Sequence, residues 1–238
     1  KIQKKKITSF NVSWINSLDN LKSGPNIFLA NEFFDALPVK QFIKKNNKWF
    51  EKKVKVLSKN NFELVNEPTN INKFEKKIGI NLKNNQKVIE FSPMAYKYLN
   101  TISKKINAFQ GGLLIIDYGY FEEEMRNSLQ SVRKHKFSNI LESFSSSDIT
   151  YNISFFLLKK ILKKLNLKVV GITTQKNFLT KLGIMQRAEI LSRNLKFSKK
   201  ANIYYRLNRL IDNKFMGNLF KVMFATKKNN KFKLGFEN

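Results

Sequence analysis

The chain has 238 residues, 42% of them hydrophobic, enough to bury a sizeable core in one globular domain with an insertion. It contains no cysteine and a single histidine, His135, which excludes disulfides and thiolate metal sites and leaves no second imidazole for a metal cluster, so no metal ligands are assigned. The net charge of +28 comes from 45 lysines and arginines against 17 acids, yet only Arg126, Arg133, Arg187, Arg193, Arg206 and Arg209 are arginine, and the lysines are scattered with asparagine through every segment. That pattern fits AT-rich coding better than a nucleic-acid reader, which concentrates arginine on one face. No apolar run reaches the roughly 20 residues of a membrane span. The basic start, Lys1 to Lys6, lacks the apolar run and small-residue cleavage site of an export signal, so a soluble, cytoplasmic protein is expected.

In chain order, Asn11–Trp14 and Asn26–Ala30 (NIFLA) read as buried strands. After Pro38 the texture changes to VKQFIKK, a turn at Asn46-Asn47, KWFEKKVKVL, a turn at Lys59 to Asn61, and FELVNE, which predicts an antiparallel meander with one wet face. Ser92-Pro93 follows the strand-like KVIEF and opens a helix to about Ala108, serine as N-cap and proline in the first turn. Gly111-Gly112 lead into LLIID, Leu113 to Asp117, a central parallel strand by its uniform apolarity. Apolar residues at Phe155, Leu158, Ile161, Leu162 and Leu165 predict a helix, KVVGI (Lys168–Ile172) a strand, and Thr174 the cap of a short helix that Gly183 ends. Two more helical patterns, near 186–195 and 199–210, precede a last strand, LFKVMFAT (Leu219–Thr226), and a solvated tail, KKNNKFKLGFEN. The alternation of strands and helices predicts an α/β fold. A core over 1–38 and 109–238 and an insertion over 39–108 are expected.

In open α/β sheets ligands bind beyond the carboxyl ends of strands. Two polar clusters stand there: Asn31, Glu32 and Asp35 after NIFLA, and Asp117, Tyr118, Gly119 and Tyr120 after LLIID. A helical turn beginning at Glu32 would put both carboxylates on one face, beside a tyrosine, a receptor for a cation; the bland reading makes Asp35 a helix cap.

The segments ANEFFDALPVKQF, GGLLIIDYGY, SDIT, TTQKNFLTKLGI and MGNLFKV occur in that order, and the chain from near Trp14 to Lys221 resembles the MidA-like / mitochondrial complex I assembly-factor family of class I S-adenosylmethionine-dependent methyltransferases. The resemblance implies a Rossmann-like, mostly parallel sheet with an antiparallel last strand. NVSW, NIFLA, LLIID, KVVGI and LFKVMFAT would be its third to seventh strands, with a small antiparallel insertion. It also implies S-adenosylmethionine as cofactor and arginine N-methylation of a protein, with a respiratory complex I subunit as the class of target. Asn16 and Ser17 fall where the adenine is met, and Asn31 and Glu32 nearest the transferred methyl. Glu32 and Asp35 would hold a guanidinium and Tyr118 would stack on the cation, with Asn31 and Asp117 counted beside them among the catalytic residues. His135 matches a family position. Asn152 and Ser154 stand where a histidine and an aspartate are usual, and FEEEMRNSLQ lacks an expected Gly-Thr pair. No first strand or Gly-rich cofactor loop precedes Asn11, which predicts a sheet without its first strands. Two other classes remain beside the enzyme: an assembly protein that keeps the fold without catalysis, and a basic nucleic-acid binder. Oligomeric state is open, a homodimer included, and in a eukaryote the mitochondrial matrix is the expected location.

Overall fold

The computed structural model describes residues 10–59, 61–134, 136–142 and 146–236. After a 3-10 turn at Leu18–Asn20, the chain forms strand β1 (Asn26–Asn31), strands β2 (Lys40–Lys45), β3 (Lys48–Ser58) and β4 (Asn61–Pro68), helix α1 (Ile71–Ile78) and strand β5 (Val88–Phe91). Helix α2 (Pro93–Phe109) leads into β6 (Gly111–Tyr120). Short strands β7 (Gln130–Arg133), β8 (Lys136–Ser138), β9 (Asp148–Thr150) and β10 (Ile153–Ser154) follow. The remainder comprises α3 (Phe155–Lys164), β11 (Leu167–Thr174), α4 (Gln175–Lys181), α5 (Ile184–Ser192), α6 (Phe197–Ile211), α7 (Met216–Leu219) and β12 (Phe220–Lys227).

The main sheet has the order β1-β6-β12-β11, with β10 added alongside the end of β6. β1 and β10 run parallel to β6, and β12 runs antiparallel to both β6 and β11. Four strands therefore share one direction and only the last is reversed, as the Rossmann-like reading requires. Leu113 and Ile115 of β6 and Met223 and Ala225 of β12 are buried with Leu99 and Ile106 of α2 and Ile161 and Leu162 of α3. Ser92 caps α2 by accepting from the Ala95 N–H at 3.1 Å, and Ser154 caps α3 by accepting from the Leu157 N–H at 3.2 Å. At Gly119 a Cβ would lie 2.3 Å from the Ile153 carbonyl oxygen, so only glycine lets β10 join.

A second sheet, antiparallel throughout, has the order β4-β3-β2-β5. Its β2–β3 turn places Asn46 and Asn47 at φ 47° and 60°, the left-handed pair of a tight hairpin. Helix α2, grouped with the insertion on sequence, packs against β1, β6 and β12.

Three expectations are corrected. Asn11–Trp14 form no strand, and among the described residues β1 pairs only with β6, leaving Ile27 73% and Leu29 67% exposed. The terminal segment, expected as a solvated tail or edge, is only partly solvated: Phe232, half exposed, meets Phe224 at 5.3 Å, and Phe236 meets Phe178 at 5.1 Å, on the β12 face opposite the core. The central strand also runs beyond Asp117 to Tyr120, because β12 and β10 supply partners for its last residues.

Glu90 of β5 joins the two sheets. Its buried Oε1 accepts from Gln41 Nε2 (2.6 Å) and from the Ser128 and Leu129 amides (2.9 and 3.1 Å), while Ser128 Oγ accepts from the Asn152 amide at 2.9 Å. Removing the carboxylate strands several buried donors. Glu90→Ala is expected to lower the unfolding free energy by about 3 kcal/mol and Glu90→Gln by clearly less, read from urea denaturation midpoints at constant m.

Candidate active site

The site begins where β1 runs out. The Glu32 amide donates to the Ile116 carbonyl at 3.0 Å, extending the ladder by one bond, with Glu32 itself at φ 47°, a conformation unfavourable for a residue with a Cβ. The chain then turns inward. Phe34 is fully buried in the core as its anchor, and the Leu37 amide closes the turn on the Phe34 carbonyl at 3.2 Å.

Asp117 of β6 holds this turn. Its Oδ2 accepts from the Phe34 amide at 3.0 Å and the Asp35 amide at 3.3 Å, and its Oδ1 accepts from the Tyr118 amide at 2.9 Å. The expected helical turn from Glu32 to Asp35 does not form, because these amides are claimed by a carboxylate from another strand instead of entering a helical register. Both Asp117 oxygens face the backbone, so Asp117 positions the turn; the sequence reading had placed it among the catalytic groups. It is fully buried, and burial first, then the Asp35 charge, push its pKa up to about 7 despite the amides that favour ionisation.

Asp35 is buried, and its Oδ1 has no hydrogen-bond partner among the described residues. Burial and then repulsion from Glu32 raise its pKa. Tyr118, its ring 4.1 Å from that of Phe220, has its phenol pKa raised by burial and by Glu32, Asp35 and Asp117. The fold thus brings Glu32, Asp35, Asp117 and Tyr118 into one electrostatic neighbourhood. Asn31, the last residue of β1, donates from Nδ2 to Glu32 Oε1 at 3.4 Å. An acidic group of this kind, partly desolvated and with an unpartnered buried acceptor, suits a planar cation with several N–H donors.

Beside the turn lies a cleft of about 670 Å³ between residues 15–21, β1 and α2. Asn16 and Ser17 both line it. Ser17 is also occupied locally: its Oγ accepts from the Asp19 amide at 3.2 Å and donates to Asp19 Oδ2 at 2.9 Å. Asp19, Phe33 and Tyr98 line the cleft as well and were missed. Phe33 and Tyr98 meet edge to face at 5.3 Å, forming an aromatic wall opposite the Asp19 carboxylate. The acid of SLDN was the available signal, overlooked in favour of the positions nearer the supposed strand. Asn152 and Ser154 serve structure, the first through its amide to Ser128 and the second as a helix cap. His135 lies outside the described residues. Among the described residues there is no grouping able to hold a metal ion, and no helix is long and apolar enough to cross a membrane.

A reversed last strand on an otherwise unidirectional sheet, with an acidic turn at the carboxyl end of β1 and a cleft along that strand, defines a Rossmann-like α/β protein of the class that binds ligands at its strand ends. Residues 1–173 match a family described as putative S-adenosyl-L-methionine-dependent methyltransferases, and the chain belongs to that family. It is 30% identical over 183 residues to a mitochondrial protein arginine methyltransferase NDUFAF7 homolog of Caenorhabditis elegans, covering 76% of this chain and 42% of the relative. To the mitochondrial protein arginine methyltransferase NDUFAF7 of Danio rerio it is 27% identical over 218 residues, covering 90% and 50%. The chain thus spans about half the length of the curated relatives it matches. A crystal structure from Burkholderia thailandensis, bound to S-adenosyl-homocysteine, shares the fold with a TM-score of 0.74 at 19% identity, over 95% of this chain and 57% of the other.

The raised pKa of Asp117 fixes the sign of a pH effect. Between the ordinary value of 3.8 and about 7 the folded state holds a proton that the unfolded chain has released, so stability falls as pH rises through this window and levels off above it. In Asp117→Asn this slope, on the order of a few kcal/mol in total, is expected to vanish whatever the variant's overall offset. Urea midpoints of both proteins across the window measure it.

Proposed function

We propose that the protein is an S-adenosylmethionine-dependent methyltransferase that N-methylates arginine in a polypeptide substrate, a respiratory complex I subunit being the expected class of target. The observation that carries this reading is the buried, unpartnered Oδ1 of Asp35, set beside Glu32 and Tyr118 and next to the cleft. The arginine methyltransferase names of the relatives support it. In a eukaryotic cell those names also support a mitochondrial location, and a homodimer stays within the proposal.

The cleft fits the cofactor by its chemistry. Phe33, Tyr98 and Leu29 give apolar faces for an adenosyl group, and the Asn16 and Asp19 side chains give acceptors for an exocyclic amine. When bound, the cofactor supplies an electrophilic methyl on a sulfonium. The chain's residues do the rest. Glu32 and Asp35 hold the guanidinium by charge-assisted hydrogen bonds and orient one nitrogen for in-line attack. Tyr118, backed by Phe220, walls the channel and stacks on the cation. The proton released on methylation goes to a carboxylate, and Asp35, whose affinity for protons is raised and whose Oδ1 is free of partners, is suited to take it.

Isothermal titration of the intact protein with S-adenosylmethionine and S-adenosyl-homocysteine tests the cofactor; no heat from either overturns the reading. Asp35→Asn is expected to retain that binding while arginine methylation, followed by mass spectrometry of the modified polypeptide, falls about 100-fold or more. Asp19→Asn is expected to weaken cofactor binding about tenfold.

A further inference from the structure

Of the described lysines and arginines, Lys221 alone is buried, with 8% of its surface exposed. It forms no ion pair with a carboxylate among the described residues. Its Nζ donates to the Asn218 carbonyl and lies 5.0 Å from the centre of the Phe121 ring. The Asn218 carbonyl is presented by the short α7 turn, where Gly217 passes so close to the end of α6 that a Cβ would sit 2.2 Å from the Ile211 carbonyl oxygen. Burying a cation with no carboxylate in contact costs free energy that one carbonyl, one ring face and the field of Glu122 do not fully return. Burial accordingly lowers the Lys221 pKa.

Lys221 opens onto a second cleft, of about 480 Å³, which it shares with Arg126, Lys214 and the side chain of Glu122. Glu122, which pairs with Arg126 at 3.0 Å and also acts favourably on Lys221, is the one acid lining the cleft against the three cations Lys221, Arg126 and Lys214, so the lining keeps a net positive charge. Gly119 and Tyr120 line the same cleft, and they directly follow Tyr118 of the acidic site in β6. An anion entering here meets a buried ammonium and an exposed guanidinium within a short reach of the cation receptor.

We propose that this basic cleft binds the carboxylate of an aspartate or glutamate side chain in the polypeptide substrate, at a fixed spacing from the residue held by Glu32 and Asp35. The proposal rests on the reading of that site as a receptor for a polypeptide cation. The acidic residue supplies the directly bonded carboxylate that Lys221 lacks, and the two charges of opposite sign set the register of the substrate chain.

The test is fluorescence anisotropy with C-terminally amidated synthetic peptides, each bearing one arginine and, at successive positions around it, either glutamate or glutamine, titrated into the intact protein without cofactor. At one or more spacings the glutamate peptide is expected to bind about tenfold tighter than its glutamine twin. Lys221→Met should erase that preference and leave the affinity of the glutamine twin unchanged, while Arg126→Gln reduces it in part. Exchanging a buried unpaired cation for an apolar chain of similar volume is neutral or stabilising, so a thermal midpoint at or above that of the wild type shows the variant to be folded. Equal affinity of the twins at every spacing in the wild type, or survival of the preference in Lys221→Met, overturns the proposal. Peptides with citrulline in place of arginine separate the two claims: indifference to that exchange, with the glutamate preference intact, strikes the arginine reading and leaves the anion-binding cleft standing.

Discussion

The arrangement depends on one carboxylate. Asp117 sits more than 80 positions from Phe34 and Asp35 in sequence, yet its Oδ2 is the acceptor for both of their amides. The turn from Glu32 to Leu37 has neither a helix nor a strand to satisfy these groups, and an amide buried without a partner is as costly as a lost hydrogen bond. Asp117 meets that need, and three converging N–H dipoles in turn make a fully buried carboxylate tolerable. Since Asp117 binds the backbone, the Asp35 side chain keeps one oxygen, Oδ1, without a partner among the described residues.

That division of labour has a cost concentrated at the site. Glu32 repels Asp35, and Asp35 repels Asp117, with burial amplifying each term. Glu32 also occupies a left-handed backbone conformation that a glycine would adopt more easily. The packed interior of β6, β12, α2 and α3 holds this unfavourable cluster in place. A bound cation would relieve the repulsion, so the same features that lower the stability of the free protein favour occupancy of the site.

How much of this could be read from sequence varied with the range of the forces involved. LLIID was legible because a central parallel strand needs an uninterrupted apolar run, NIFLA, KVVGI and LFKVMFAT because short, mostly apolar runs bounded by turn residues mark strands even where one face stays partly exposed, and Ser92-Pro93 because a cap is a local hydrogen bond. Asn31, Glu32, Asp35 and Tyr118 were legible as strand-end polar residues. The reading failed where distant partners decided the outcome. Asn11–Trp14 have strand-like residues but no partner strand among the described residues, and the expected helical turn lost its amides to Asp117. The small β7–β9 sheet was missed because strands of three or four residues carry almost no periodic signal. Phe232 and Phe236 looked solvated among lysines, because their aromatic partners lie elsewhere in the chain.

Net charge misled most easily and, resolved residue by residue, says the most. A value of +28 spread over exposed lysines describes solubility and a general affinity for anions, with no direction to it. One lysine taken out of water is different, since desolvation converts a weak, screened charge into a local demand for a specific partner. Along β6 the sign of that demand reverses within two or three residues, from the carboxylates around Tyr118 to the cations around Tyr120. A substrate that satisfies both must carry a cation and an anion at matching separation. In the proposed reading, a polypeptide offering only the arginine would leave Lys221 without a bonded carboxylate, so selectivity would arise from the group left unsatisfied as much as from the one that is bound.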